Sequence, residues 1–305
     1  MQKTLQYIES NKQRYLKELK ELISIPSVSS QPQRNNETKR CAEWISSHLK
    51  SIGMNNVKII PTAGHPVVYA DWLNAQGKPT ILLYGHYDVQ PEDPVDLWNS
   101  PPFEMTERDG NLFARGTADD KGQIFIHMKA LEAVLKNEGK LPCNIKIIFE
   151  GEEEIGSEHL EPFVKEHKQI LSADIVLISD SSMFKKGVPS ICYSLRGLSY
   201  MQVEVTGPKG DLHSGSFGGS VHNPIQALCE LIASLHDKNG KITIPGFYDD
   251  VRKLSKEERA SFAKLPFKEK EYAKELGVKE LYGEKGFSSL ERVWARPTLE
   301  CNGIW

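Results

Sequence analysis

The chain has 305 residues, with 38 Lys and Arg against 41 Asp and Glu, a formal charge of −3. So even a balance excludes the basic stripe that nucleic acid requires. The 39% hydrophobic and 26% charged content excludes a disordered chain. No apolar run approaches the ~18–20 residues of a membrane span. The opening MQKTLQYIESNKQRYLKELKELISI lacks the apolar core of a secretory signal, so a cytoplasmic location is expected. Cys41, Cys143, Cys192, Cys229 and Cys301 are odd in number, far apart and without a CxxC pair. They predict free, mostly buried thiols in a reducing compartment.

In chain order, Leu5, Ile8, Tyr15, Leu19, Leu22 and Ile23 recur at helical spacing and predict an amphipathic helix stopped by Pro26. A second helix is expected over 37–52, ending at Gly53. Short strands are expected at 57–60 and 67–70. The continuous apolar run Thr80 to Tyr84 reads as a strand covered on both faces. NIKIIF (144–149) and DIVLIS (174–179) read as two further central strands, with helices expected over 120–137 and 157–167 between the strands. Alternation of this kind predicts an α/β fold with a mostly parallel sheet and helices on both faces. After Ser194 the texture changes. LSYMQVEVT (198–206) predicts a half-exposed strand, 223–235 a helix with Pro224 in its first turn, and 253–280 a charged helical stretch. A domain boundary is placed there, dividing 1–194 from 195–305. The ending Gly303-Ile304-Trp305 carries large apolar side chains, and the chain is expected to stop inside a domain.

The chemistry gathers at the C-terminal ends of the predicted strands, where open α/β sheets bind ligands. Strand 80–84 runs into Gly85-His86-Tyr87-Asp88. A loop carries RGTADDKG (115–122), with Asp119 and Asp120. Strand 144–149 runs into EGEEEIGS (150–157), with Glu153 and Glu154. Strand 174–179 runs into Asp180. Each has an ordinary structural use taken alone: a loop histidine, a helix cap, an acidic turn. Together they deliver an imidazole and several carboxylates to one sheet edge, and such acids repel one another unless a cation lies among them. A His and carboxylate set without Cys suits Zn2+, Mn2+ or Co2+. Asp88, two residues after His86, can accept from the ring nitrogen that faces away from the metal. Of the Glu153-Glu154 pair, one can ligate while the other serves as a base, the division that metal-assisted hydrolysis requires.

GHYDVQP (85–91), RGTADDKG, EGEEEIGS, the strand-end Asp180 and DLHSG (211–215) occur in that order. Together they resemble the carnosinase-like dipeptidases of metallopeptidase family 20, which are related to carboxypeptidase G, acetylornithine deacetylase and succinyl-diaminopimelate desuccinylase. The resemblance covers the whole chain; LRGLSY (195–200) and DLHSGSFGGSVHNP (211–224) lean toward the dipeptidase branch. It implies a catalytic domain over 1–194 and a smaller α+β lid and dimerisation domain over 195–305. It implies two divalent ions: His86, Asp119 and Asp180 would hold one, and Asp119 would bridge to a second held also by Glu154. Glu153 would be the general base, Asp88 would orient His86, and His213 would reach into the active site of the neighbouring subunit of a homodimer. It implies a cis peptide between Asp119 and Asp120. The expected substrate is a dipeptide, with N-acyl amino acids the alternative within the fold and an inactive truncated product the alternative outside it. Members of the family continue beyond a motif like RPTLECNGIW, and the continuation carries a last histidine ligand; none of His222, His236 or the earlier histidines stands in a matching context.

Overall fold

The computed structural model describes residues 1–305, which divide into two compact units, Met1–Pro189 and Ser190–Trp305. The division falls five residues before the expected boundary.

In the first unit the N-terminal amphipathic segment is two helices, α1 (Gln2–Ser10) and α2 (Lys12–Ile23), not one. Asn11 breaks them: its φ of −103° and ψ of 5° leave the helical region, and its amide nitrogen donates to Tyr7 O. Next come α3 (Asn35–Ile52), closed by Gly53 at a φ of 102°, and the strands β1 (Asn55–Ile60), β2 (Val67–Trp72) and β3 (Thr80–His86). A small hairpin follows, β4 (Thr106–Arg108) with β5 (Asn111–Phe113), and then α4 (Lys121–Glu138) and β6 (Asn144–Glu150). The helices α5 (Leu160–Glu166) and α6 (Lys168–Leu171) lead to β7 (Ile175–Ile178).

The main sheet has the order β1-β2-β6-β3-β7. It is mixed: β1, β2 and β6 pair antiparallel, while β6, β3 and β7 pair parallel. Alternate side chains go to opposite faces. Val68, Ala70, Leu83, Ile147 and Phe149 join Leu22, Ile45, Leu49, Phe125 and Met128 of α2, α3 and α4 in the larger core. Val67, Tyr69, Leu82 and Ile148 face Phe163 and Leu171 of α5 and α6. Burial on both faces explains the unbroken apolar runs. The expectation that 174–179 is a central strand is corrected. β7 pairs with β3 on one side only, and all four of its residues are exposed.

The parallel half aims three strand ends the same way. His86, at the end of β3, stands in register with Glu150, at the end of β6, and β7 stops two residues short of Asp180. The helices α2, α3 and α4 are further tied by Lys129, whose Nζ donates to Glu18, to Glu132 Oε2 at 2.8 Å and to His48 Nε2 at 2.6 Å. Burial and Lys129 together push His48 down to about 4, so the imidazole is neutral and can accept.

In the second unit the expected strand over 198–206 is absent. The segment has no regular secondary structure and is exposed; a strand needs a neighbour to pair with, and none lies beside it in this unit. Five helices follow: α7 (Ser214–Phe217), α8 (Pro224–Ser234), α9 (Lys256–Ala263), α10 (Glu269–Glu275) and α11 (Ser289–Ala295). The charged stretch 253–280 is therefore two short helices, interrupted around Pro266, which has no N–H to continue a helix. Ser255 and Ser288 open α9 and α11 with capping boxes, and Arg259 on α9 meets Glu291 on α11 at 2.6 Å. The cysteines are free, but the expectation that most are buried is corrected: Cys41 is buried, Cys143 is intermediate, and Cys192, Cys229 and Cys301 are exposed. No helix is long and apolar enough to cross a membrane.

Candidate metal centre

His86 is the hub. Its side chain is fully buried, and its Nε2 lies 3.0 Å from Asp119 Oδ1, 3.8 Å from Asp180 Oδ2 and 3.9 Å from Glu153 Oε2. Two sets of ligand atoms each fall within 4.8 Å of one another: His86, Asp119 and Asp180, and His86, Glu153 and Glu154. Nδ1, on the far side of the ring, faces Asp88 at two atoms, the main-chain O at 3.1 Å and Oδ1 at 3.3 Å. Both are acceptors, so Nδ1 holds a hydrogen and Nε2 faces the carboxylates.

Local sequence explains each placement. In RGTADDKG, Gly122 is obligatory: a Cβ there would lie 1.9 Å from Thr117 O, because the loop folds back onto the start of α4. Lys121 is wholly buried and donates from Nζ to Ile25 O at 2.5 Å, which pins the start of α4 beneath the end of α2. The Asp119-Asp120 peptide is cis. Asp119 points out toward His86 Nε2, whereas Asp120 is buried and accepts from the His86 main-chain N–H at 3.1 Å. In EGEEEIGS, a Cβ on Gly151 would meet the Tyr87 ring at 2.6 Å, which allows the turn to lie against the end of β3. The four glutamates then separate. Glu150 accepts from Tyr84 Oη at 2.6 Å and Ser157 Oγ at 2.9 Å; Glu152 is buried against His159 Nδ1 at 2.8 Å and the His65 N–H at 3.0 Å. Glu153 and Glu154 are left beside His86. Gln90, of the GHYDVQP motif, donates to Glu154 Oε2 at 2.8 Å.

The electrostatics fit a cation. Burial and mutual repulsion raise Glu153, Glu154 and Asp180 above the ordinary carboxylate range, although His86 opposes the shift. Burial also lifts Asp120 to about 8. For His86, burial disfavours the imidazolium, but the Asp88 carboxylate, with Asp120 and Glu153, outweighs it and lifts the ring from 6.5 to about 10. A group raised in the folded state adds stability that is present below its unfolded value and lost as pH rises through its folded one. The His86 contribution is thus complete below 6.5 and lost toward about 10. Without metal, the imidazolium is the cation among these acids. Zn2+ binding at pH 8 is therefore expected to expel a proton from His86, and the calorimetric heat of binding will change with the ionisation enthalpy of the buffer. Heats that are the same in phosphate and Tris would count against this. A donor set of one imidazole and several carboxylates, without Cys, fits Zn2+, Mn2+ or Co2+. A third triad, Glu18, His48 and Glu132, has ligand-like spacing, but the Lys129 ammonium already sits among its atoms.

His213 lies in the second unit. It precedes α7, and its Nδ1 accepts from the Gly215 N–H at 3.1 Å. Gln90 and Lys121 take part here without having stood out in the sequence, and Asp120, one of the loop acids, holds the His86 main chain. The signal available for Lys121 was a lysine directly after two aspartates.

The profile of peptidase family M20/M25/M40 matches residues 82–281, a span that includes every residue of the His86 cluster. The chain belongs to this family. The beta-Ala-His dipeptidase of Homo sapiens is 34% identical over 318 residues, covering 100% of this chain and 63% of that protein. The Cys-Gly metallodipeptidase of Schizosaccharomyces pombe is 32% identical, covering 100% of this chain and 66% of that protein. Among solved members, human carnosine dipeptidase 1 superposes with a TM-score of 0.75 at 30% identity, over 99% of this chain and 66% of that one. The M20 metallo-carboxypeptidase Sso-CP2 of Sulfolobus solfataricus also gives 0.75, at 34% identity over 95% of this chain and 65% of that one. The chain thus spans about two thirds of the length of these family members.

Proposed function

We propose that the protein is a metal-dependent dipeptidase with Glu153 as general base. The observation that carries this reading is His86 Nε2 facing Asp119, Asp180 and Glu153, with Glu154 alongside. His86, Asp119 and Asp180 would hold one divalent ion, and Asp119 and Glu154 would hold a second, as Zn2+, Mn2+ or Co2+. When bound, such ions make water nucleophilic near neutral pH and polarise the scissile carbonyl. Glu153 takes the proton from the attacking water and passes it to the leaving amine. Its raised pKa suits that task, because a base works best when its pKa lies near the operating pH. Asp88 keeps His86 turned with Nε2 outward.

The remaining assignments follow the same reading. Residues 1–194 are the catalytic part and 195–305 a lid and dimerisation part. His213 of one subunit serves the scissile carbonyl in the active site of its partner within a homodimer. The names of the relatives suggest small dipeptides such as beta-Ala-His and Cys-Gly as the substrate class. We place the protein in the cytoplasm, where five unpaired thiols persist.

The test is a substrate panel with the Zn2+- or Mn2+-loaded protein: Xaa-Xaa dipeptides against N-acetyl and N-succinyl amino acids, with and without chelator. Dipeptide hydrolysis that stops on chelation is expected. Preference for the N-acyl compounds would replace the reading with a deacylase. Cleavage of neither by metal-loaded protein would make this chain a non-catalytic product.

A further inference from the structure

Asp88 lies two residues from His86 and has an evident task, to hold the imidazole. The geometry gives its side chain a second one. The Asp88 carboxylate is fully buried, and each of its oxygens accepts a main-chain amide from the opposite loop: Oδ1 from the Glu153 N–H at 3.3 Å and Oδ2 from the Glu154 N–H at 3.1 Å. His86 Nδ1, meanwhile, is nearer to the Asp88 main-chain O, at 3.1 Å, than to Oδ1, at 3.3 Å. An acceptor for the ring therefore exists whatever side chain stands at position 88.

We infer that Asp88, besides facing the His86 ring, is a positioning residue for the Glu153-Glu154 turn. The turn is a short 3-10 segment, Glu153–Ile155, that ends at Gly156 with a φ of 96°. Its first two residues carry side chains that must point at the ion site. Two neighbouring N–H groups at the start of such a turn have no partner within it. A carboxylate that accepts both is a charge-assisted double anchor. It couples the end of β3 to the loop after β6 across 65 and 66 residues of chain. Glutamate at 88 would be one methylene too long, and asparagine can accept at one oxygen only while presenting an NH2 to the other amide.

The assignment of roles to Glu153 and Glu154 rests on the proposed function; the anchor itself does not, and its test needs no turnover. Amide hydrogen exchange in the metal-free 305-residue chain is measured by NMR for wild type and Asp88→Asn. The expected result is at least tenfold faster exchange at Glu153 or Glu154 in the variant, with Ile147 in β6 unchanged as the control for an intact sheet. Unchanged exchange at both amides with an intact sheet would overturn the inference. Should Asp88→Asn fail to fold, scalar couplings in wild type between the Glu153 and Glu154 amide nitrogens and Asp88 Cγ decide: their presence supports the anchor, their absence refutes it. A stepwise Zn2+ titration separates this role from orientation of His86. Asp88→Asn should weaken the ion that depends on Glu154 by about 10–100-fold, the usual effect of an outer partner, and the other by less than about threefold. Weakening confined to the His86-Asp119-Asp180 ion would return the carboxylate to His86.

Discussion

Replacing Glu153 by Gln is expected to lower kcat for dipeptide hydrolysis by about 10²–10⁴-fold, the usual contribution of a positioned base, while metal content stays the same. Gln has the shape of Glu but cannot take a proton. The change should leave the turn intact, because the turn is anchored through the Glu153 main-chain N–H, which the substitution does not touch. A competing role is written into the same geometry. Glu153 Oε2 lies 3.9 Å from His86 Nε2 and shares a ligand-like set with Glu154, so it could be a ligand itself. The two roles separate on metal stoichiometry. A base leaves the count of bound ions unchanged and depresses kcat; a ligand depresses both. Retention of most activity would remove Glu153 from the chemistry altogether.

The strand ends were legible because apolar runs stop abruptly at polar residues. ILLY stops at Gly85-His86 and KIIF at Glu150, and burial on both faces of β3 and β6 is what made those runs continuous. Sequence singled out Glu153 and Glu154 from the Glu150, Glu152, Glu153 and Glu154 group but left the other two without a task. All four are acidic and adjacent, and only the fold assigns Glu150 to Tyr84 and Ser157, and Glu152 to His65 and His159. The same limit hid the anchoring of the turn, since its acceptor lies 65 residues away. Proximity to His86 in sequence made orientation of the ring the natural reading for Asp88, and nothing in the sequence pointed to its second pair of partners across the sheet edge.

Where the expectations failed, the cause was a missing neighbour or a local breaker. The 198–206 segment has the alternation of a strand, but alternation describes one face only and does not supply a partner ladder. β7 has the composition of a central strand and pairs on one side only. The 253–280 stretch has helical charge spacing on both sides of Pro266, and the spacing concealed the interruption.

Asp119 provides the second large effect, with a sign that ligand loss alone can explain. Asp119→Ala is expected to weaken both ions by more than the about 10–100-fold of an outer partner, whereas Asp180→Ala should weaken only one. The reason is position: Asp119 Oδ1 is the carboxylate atom nearest to His86 Nε2, at 3.0 Å, and its charge also raises the pKa of Glu154 and of Asp180. Those raised values mean that the metal-free fold is penalised at neutral pH for holding charged acids together. Removing Asp119 relieves part of that repulsion, and its side chain is 63% exposed, so little packing is lost. The melting temperature of the metal-free variant should therefore be no lower than that of wild type. The stabilisation that Zn2+ gives the wild type, about 2.7 kcal/mol at a ligand concentration 100 times Kd, should disappear. Thermal unfolding with and without Zn2+ reads both quantities. A metal-free variant that melts well below wild type would make Asp119 a structural residue, and an unchanged Zn2+ response would take it out of the ion site.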